Sequence, residues 1–154
     1  MEHLVQQRLA EENLVSLEIG DRLIDREHEW LLRCLQHLLD TPESLHGRDE
    51  FFDSLGQLGT ELSRHFAHEE ALMKSLKMPA DLVAEHVKAH LVIIEQYAEL
   101  NLDLMFGRQH AKNTLVRMVG AWILDHILAY DLKIKPFIQD ARDIQEKGPD
   151  GVLR

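Results

Sequence analysis

Seven residues of this chain have the types and spacing of a polydentate metal site: His28, His65 with Glu69, His86 with His90, and His126 with Asp131. In a helix, residues four apart are neighbours on one face. His65/Glu69 and His86/His90 can therefore each offer two donors to one ion, or donors to two adjacent ions. Neutral imidazole suits Fe, Zn, Cu and Ni, while carboxylates add hard oxygen ligands and can bridge two metals. Five imidazoles with two carboxylates are enough for two ions, and nitrogen-rich for such a site. His126 and Asp131 fit less well. Five residues is ~500° of helical rotation, which leaves the two side chains ~140° apart. Both reach one site only if Asp131 projects across between two metals or the helix loosens locally. Pro136, which removes an amide near that turn, is placed to help.

The elements that must carry these donors read as helices, divided by sparse glycine and proline. Residues 1–20 form an N-terminal arm, with helical spacing at Leu4, Val5 and Leu9 and an end at Gly20. From Asp21 to about Leu39 the residues Leu23, Ile24, Leu31, Leu35 and Leu38 keep a helical period, and Thr41-Pro42 stops it. A second helix is predicted from about Arg48 to Leu76, weakened or closely packed at Gly56 and Gly59. Pro79-Ala80-Asp81 reads as the start of a third, which runs to about Phe106 with Gly107 as its cap. A fourth begins near Gln109 and passes Trp122 and Ile127 toward Ile134, where Pro136 should kink or end it. Short connections between four long helices favour antiparallel neighbours. The expectation is one all-α domain over 1–154: an up-down-up-down antiparallel four-helix bundle at 21–140, the arm before it and a tail at 141–154.

Composition bounds the rest. The 154 residues suffice for one buried core, and a net charge of −10 argues against nucleic acid and against anionic membrane surfaces. No apolar run approaches the ~20 residues of a membrane span. The start at Met1-Glu2-His3-Leu4 lacks the basic and apolar regions of a secretory signal, and lone Cys34 fits a reducing compartment, so the cytoplasm is the expected address.

Of ten histidines, His3, His37, His46, His68 and His110 need no special role. Any single one of the other five is more often a surface or hydrogen-bonded core residue than a ligand. Their joint occurrence on all four helices, flanked by Ile24, Leu31, Leu62, Phe66, Ile123 and Ile127, changes the balance. Several buried histidines and two buried acids would be badly unsatisfied without a metal. The zinc-protease pattern fails, because Val87 and not Glu follows His86. The Glu-x-x-His pairs of ferritin-like di-iron proteins do not describe these histidines either. A haem would use one or two of them and leave the rest unexplained.

The motifs Ile24-Asp25-Arg26-Glu27-His28, His65-Phe66-Ala67-His68-Glu69-Glu70-Ala71-Leu72-Met73, His86-Val87-Lys88-Ala89-His90 and Trp122-Ile123-Leu124-Asp125-His126-Ile127, followed by Asp131, resemble those of the hemerythrins in their single-domain bacterial form. The resemblance covers roughly residues 15–138. It implies a four-helix bundle holding two non-haem Fe ions with an oxo or hydroxo bridge. His86, His90 and His126 would complete one iron and His28 and His65 would serve the other, with Glu69 and Asp131 bridging both. Dioxygen would be taken at the position left open on the second iron. The implied function is reversible oxygen binding in a bacterial cell, for storage, transport or supply, by a non-enzyme that is a monomer or weak oligomer. An oxygen or redox sensor acting through a partner, a di-iron peroxidase or oxidase, and an iron store are the alternatives.

The chain departs from the family in having Glu27 where Gln usually precedes the first histidine; its side chain is expected to face solvent. The tryptophan expected in the N-terminal arm is absent, with Leu14 or Leu17 standing in.

Overall fold

The computed structural model of the protein describes residues 16–108 and 110–148, without the side chains of residues 45 and 46. The expected helical arm around Leu4, Val5 and Leu9, the stand-in Leu14, the expected helix start at Gln109 and the tail beyond Gly148 lie outside the described residues. Helices α1 (Arg22–Asp40), α2 (Leu45–Ser75), α3 (Ala80–Met105) and α4 (Lys112–Ala129) are followed by a 3-10 turn (Asp131–Lys133) and by α5 (Lys135–Lys147). No strand occurs among the described residues. α1 packs on α2 and α4, and α3 packs on the same two, which closes the four into a ring. With connections of only a few residues, the result is the expected four-helix bundle. No helix among the described residues is long and apolar enough to cross a membrane.

The helix ends follow from local chemistry. Asp21 caps α1, its carboxylate accepting from the Ile24 amide at 3.0 Å, and Asp25 accepts from the amides of Ile19 and Gly20. Gly20, at φ +95, takes the left-handed turn that leads the chain into the helix. Ser44 caps α2 on the Gly47 amide. Lys112, at the start of α4, donates to the carbonyls of Leu39 and Thr41 and so ties that helix to the end of α1.

The last helix region differs from expectation. α4 stops at Ala129, Tyr130 leaves helical geometry (φ −123, ψ −54), and the chain resumes as α5. Pro136 accounts for the restart as α5: it has no amide to continue a helix from Leu132, and its fixed φ suits the first helical turn in which it lies. Residues 141–147, expected as tail, continue α5. Ile138 packs with Ile19 and Met73, and Arg142 donates to the Gly20 carbonyl, which holds α5 across the end of the bundle.

Two apolar layers result. The larger runs along the bundle through Leu35, Leu38, Leu55, Leu58, Leu62, Leu115, Val119 and Ile123, with Leu17 packed against it from the arm. The smaller comprises Ile19, Ile24, Met73, Met78, Ile134 and Ile138. On α1 and α2 the polar residues fall in sequence between the two layers: His28 between Ile24 and Leu31, His65 and Glu69 between Leu62 and Met73. A polar stratum is thus sealed above and below by hydrocarbon.

Candidate metal centre

All seven donors are buried, with Glu69 and Asp131 fully so. They come from α1 (His28), α2 (His65, Glu69), α3 (His86, His90), α4 (His126) and the turn after it (Asp131). They fall into two overlapping groups whose ligand atoms lie within 4.8 Å of one another: Glu69, His86, His90, His126 and Asp131, and then His28, His65, Glu69 and Asp131.

Every histidine turns its Nε2 inward. Glu69 Oε1 faces His65 Nε2 at 3.0 Å and His28 Nε2 at 3.6 Å, while its Oε2 faces His90, His86 and His126 at 2.8, 3.4 and 3.8 Å. Asp131 divides the same way. Its Oδ2 lies 3.0 Å from His28, and its Oδ1 lies 3.0 Å from His86 and 2.9 Å from His126. Each carboxylate therefore splits its oxygens between the same two groups, Glu69 between His86, His90 and His126 and the pair His28 and His65, Asp131 between His86 and His126 and the single His28.

His28 Nε2 and Asp131 Oδ2, and His90 Nε2 and Glu69 Oε2, are hydrogen-bonded, but the other oxygen of each carboxylate is not. Glu69 Oε1 and Asp131 Oδ1 have no hydrogen-bond partner despite their close nitrogens, and His86 Nε2 faces His126 Nε2 at 3.1 Å. Lone pairs that converge on a common point instead of on one another are what a cation requires, so the donor set fits metal ions. Without metal, protons take their place. Burial opposes charge on His28 and His126, but hydrogen bonds to Asp131 and Glu69 and their charges outweigh it and push both imidazoles up to about 9. His86 is raised for the same reasons. Burial would raise Glu69, yet its histidine partners hold it well below the usual carboxylate range. Burial and the Glu69 charge likewise oppose ionisation of Asp131, and its histidine partners still hold it low.

Four contacts made by residues outside the seven were not foreseen. Glu27, expected to face solvent, is turned inward: His65 Nδ1 donates to its Oε1 at 3.4 Å and His68 Nδ1 to its Oε2 at 2.8 Å. The two histidines are one turn apart on α2 and bracket it from across the α1–α2 seam. His68 was given no role, although its spacing of three from His65 was the available signal. Glu70 accepts from His90 Nδ1 at 2.9 Å. Such outer carboxylates fix the tautomer and orientation of a ligating imidazole. Tyr130 stacks on His126 with ring centroids 5.2 Å apart.

A cavity of about 10 Å³ adjoins His65, His126 and Asp131 and is otherwise walled by Leu31, Leu62, Phe66, Ile123 and Ile127. A wider one, about 610 Å³, opens by Pro42, Phe51 and Ala111 and contains none of the seven donors. Its Lys112 and Arg108 are engaged by the Leu39 and Thr41 carbonyls and by Asp103.

Residues 19–138 match the family model described as the hemerythrin HHE cation binding domain. The chain is 30% identical over 137 residues to the bacteriohemerythrin of Stenotrophomonas maltophilia (strain R551-3), covering 86% of this chain and 87% of that one. It is also 30% identical over 112 residues to hemerythrin subunit 1 of Golfingia vulgaris, covering 73% and 79%. No solved structure gives a significant match. A sealed layer of histidines and shared carboxylates in a four-helix bundle, and a family match across nearly all the described residues, lead to one conclusion: the chain belongs to the hemerythrin family.

Proposed function

We propose that this protein binds dioxygen reversibly at a pair of non-haem irons, for storage, transport or supply in the bacterial cytoplasm, and that it is a carrier and not an enzyme. His86, His90 and His126 would hold one iron, and His28 and His65 the other, with Glu69 and Asp131 across both. The observation that carries this reading is that each carboxylate turns one oxygen to the His86, His90 and His126 side and the other to the His28 and His65 side. With both carboxylates shared, the pair has one ligand fewer than the trio, which leaves room there for a small exogenous ligand. Irons held by these residues would supply the electrons that reversible dioxygen binding requires.

The chain's own residues do the rest. Glu27 and Glu70 orient His65 and His90. Leu31, Leu62, Phe66, Ile123 and Ile127 keep water from the small cavity beside His65 and Asp131. These five apolar side chains offer no proton, which favours return of the ligand over reduction of it. The net charge of −10 favours a monomer or weak oligomer.

Iron-loaded protein should contain about two irons per chain and show oxo-to-iron charge-transfer bands. Stopped-flow mixing of the ferrous protein with oxygen should give a spectrum that deoxygenation bleaches and readmitted oxygen restores. Irreversible oxidation on first contact would overturn the carrier and favour sensing or catalysis.

A further inference from the structure

The Glu27 carboxylate is shared unequally, and the inequality assigns it a keeper. Its contact to His65 Nδ1 is long, at 3.4 Å, while its contact to His68 Nδ1 is short, at 2.8 Å. A glutamate free to choose would turn its charge toward water, as the half-exposed Glu70 partly does beside His90. Glu27 instead is only 17% exposed, with His68, at 38%, standing between it and solvent. We infer that His68 is a positioning residue that holds the Glu27 carboxylate against His65, and that the pair sets how readily the iron held by His65 is oxidised.

The physical link is the imidazole ring. A carboxylate that accepts from Nδ1–H makes the opposite nitrogen more electron-rich, and an electron-rich ligand favours the higher oxidation state of the metal. His65 carries Nδ1 toward Glu27 and Nε2 toward Glu69, so the effect is directed into the metal cluster. A neutral Gln at position 27 would still accept from His65 but with a weaker, uncharged pull. The long contact makes the effect depend on what fixes the carboxylate, and His68 is the group at full hydrogen-bond distance. His68 thus acts on the iron through two intervening side chains without approaching it.

The inference rests on the di-iron reading, and one experiment separates the two. Wild type, Glu27→Gln, His68→Ala, His68→Gln and the double variant Glu27→Gln/His68→Ala are loaded anaerobically with Fe(II). Iron content, midpoint potential and autoxidation rate in air are then measured, with circular dichroism as the folding control. Glu27→Gln should raise the potential and slow autoxidation several-fold. His68→Ala should move both the same way, and His68→Gln, whose amide can donate to Glu27, should restore them toward wild type. The double variant should match Glu27→Gln alone. If all the proteins hold about two irons with the same potential, the inference is overturned and the carrier reading stands. It is overturned equally if His68→Ala has its full effect in the Glu27→Gln background. Failure of wild type to take up iron overturns both readings.

Discussion

Asp131 Oδ1 stands 2.9 Å from His126 Nε2, although five residues separate them and an unbroken helix would set their side chains ~140° apart. The chain achieves this by leaving the α-helix between them. Tyr130 is the residue out of helical geometry, and the amides of Lys133 and Ile134 bond three residues back, to Tyr130 and Asp131, instead of four. The tighter 3-10 turn swings Asp131 onto the side already occupied by His126, and there it meets His28 of the neighbouring helix α1 at 3.0 Å.

Asp131→Asn tests whether that swing serves a metal. The amide keeps the shape but loses the charge and one of the two oxygens. Metal affinity should fall by at least the ~10–100-fold that removal of even an outer partner typically costs. Iron content after dialysis against a chelator measures it. Retention equal to wild type would show that the carboxylate is structural only.

His90→Leu should abolish stable retention of iron, while His37→Leu should leave it intact. His90 is buried with Nε2 on Glu69, whereas His37 is 57% exposed and its nearest acidic partner is Glu50 at 3.6 Å. Equal iron retention in the two variants would sink the assignment of the ligands.

The helices and most of this cluster were legible because both obey one rule. Apolar residues such as Leu31, Leu35, Leu62 and Ile123 recur at helical spacing, and the donors His65/Glu69 and His86/His90 recur at the same spacing, so the period that predicts the core also predicts which donors meet. Asp131 was legible in type but not in position, since its placement depends on a backbone break that no side-chain period encodes. Glu27 was misread for a related reason. It precedes His28 and so turns ~100° away from it on α1, which suggests solvent, but α2 packs on that flank and supplies His65 and His68. The neighbour across a helix seam is a tertiary fact. The separate helix at residues 135–147 was missed because Pro136 was read as a kink or an end of the fourth helix, when it also begins helices.

Gly56 and Gly59, three residues apart on α2, should respond oppositely to alanine. A Cβ at Gly56 would meet nothing within 4 Å, so Gly56→Ala should gain the helix propensity alone and stabilise by ~0.5–1 kcal/mol. A Cβ at Gly59 would stand 2.5 Å from Tyr97 Cε1. Tyr97 is buried in the main core, so its ring can make room only by shifting within packed side chains. Gly59→Ala should therefore be net destabilising, within the ~1–3 kcal/mol of overpacking. Urea midpoints for the two variants decide it, and a gain at both positions would refute the close packing of α2 on α3.

Protons and metal compete for the same atoms, which gives the metal-free protein a distinct pH profile. His28 and His126, pushed up to about 9 against burial by Asp131 and Glu69, lie above their ordinary 6.5. Their contribution to stability is complete below pH 6.5 and is lost as pH rises through about 9. Glu69 and Asp131, held low by their histidine partners despite burial, contribute above the ordinary carboxylate range and lose that contribution as pH falls through their lowered values. The melting temperature of metal-free protein should therefore decline between pH 6.5 and 9, and that of loaded protein should not follow it. Metal uptake at pH 7 should release protons, and the release should shrink toward pH 9. A flat metal-free profile across that window would contradict the pairing.

The small cavity offers the most direct link between packing and oxygen chemistry. At about 10 Å³ it sits at the lower bound of what one water needs, and five of its lining residues are apolar. Leu62→Ala would widen it, while Leu58→Ala would remove an equally buried side chain from the same core without touching it. Both should cost ~2–5 kcal/mol, since a deleted leucine forfeits its transfer energy and leaves a void. Only the first puts that void beside His65 and Asp131, where water and its protons can reach the ligands. Autoxidation of the oxygenated protein should therefore accelerate in Leu62→Ala and stay near wild type in Leu58→Ala, at matched loss of stability. If both accelerate in proportion to their destabilisation, oxidation proceeds through general opening of the bundle, and the dry wall at Leu62 has no role in protecting the site.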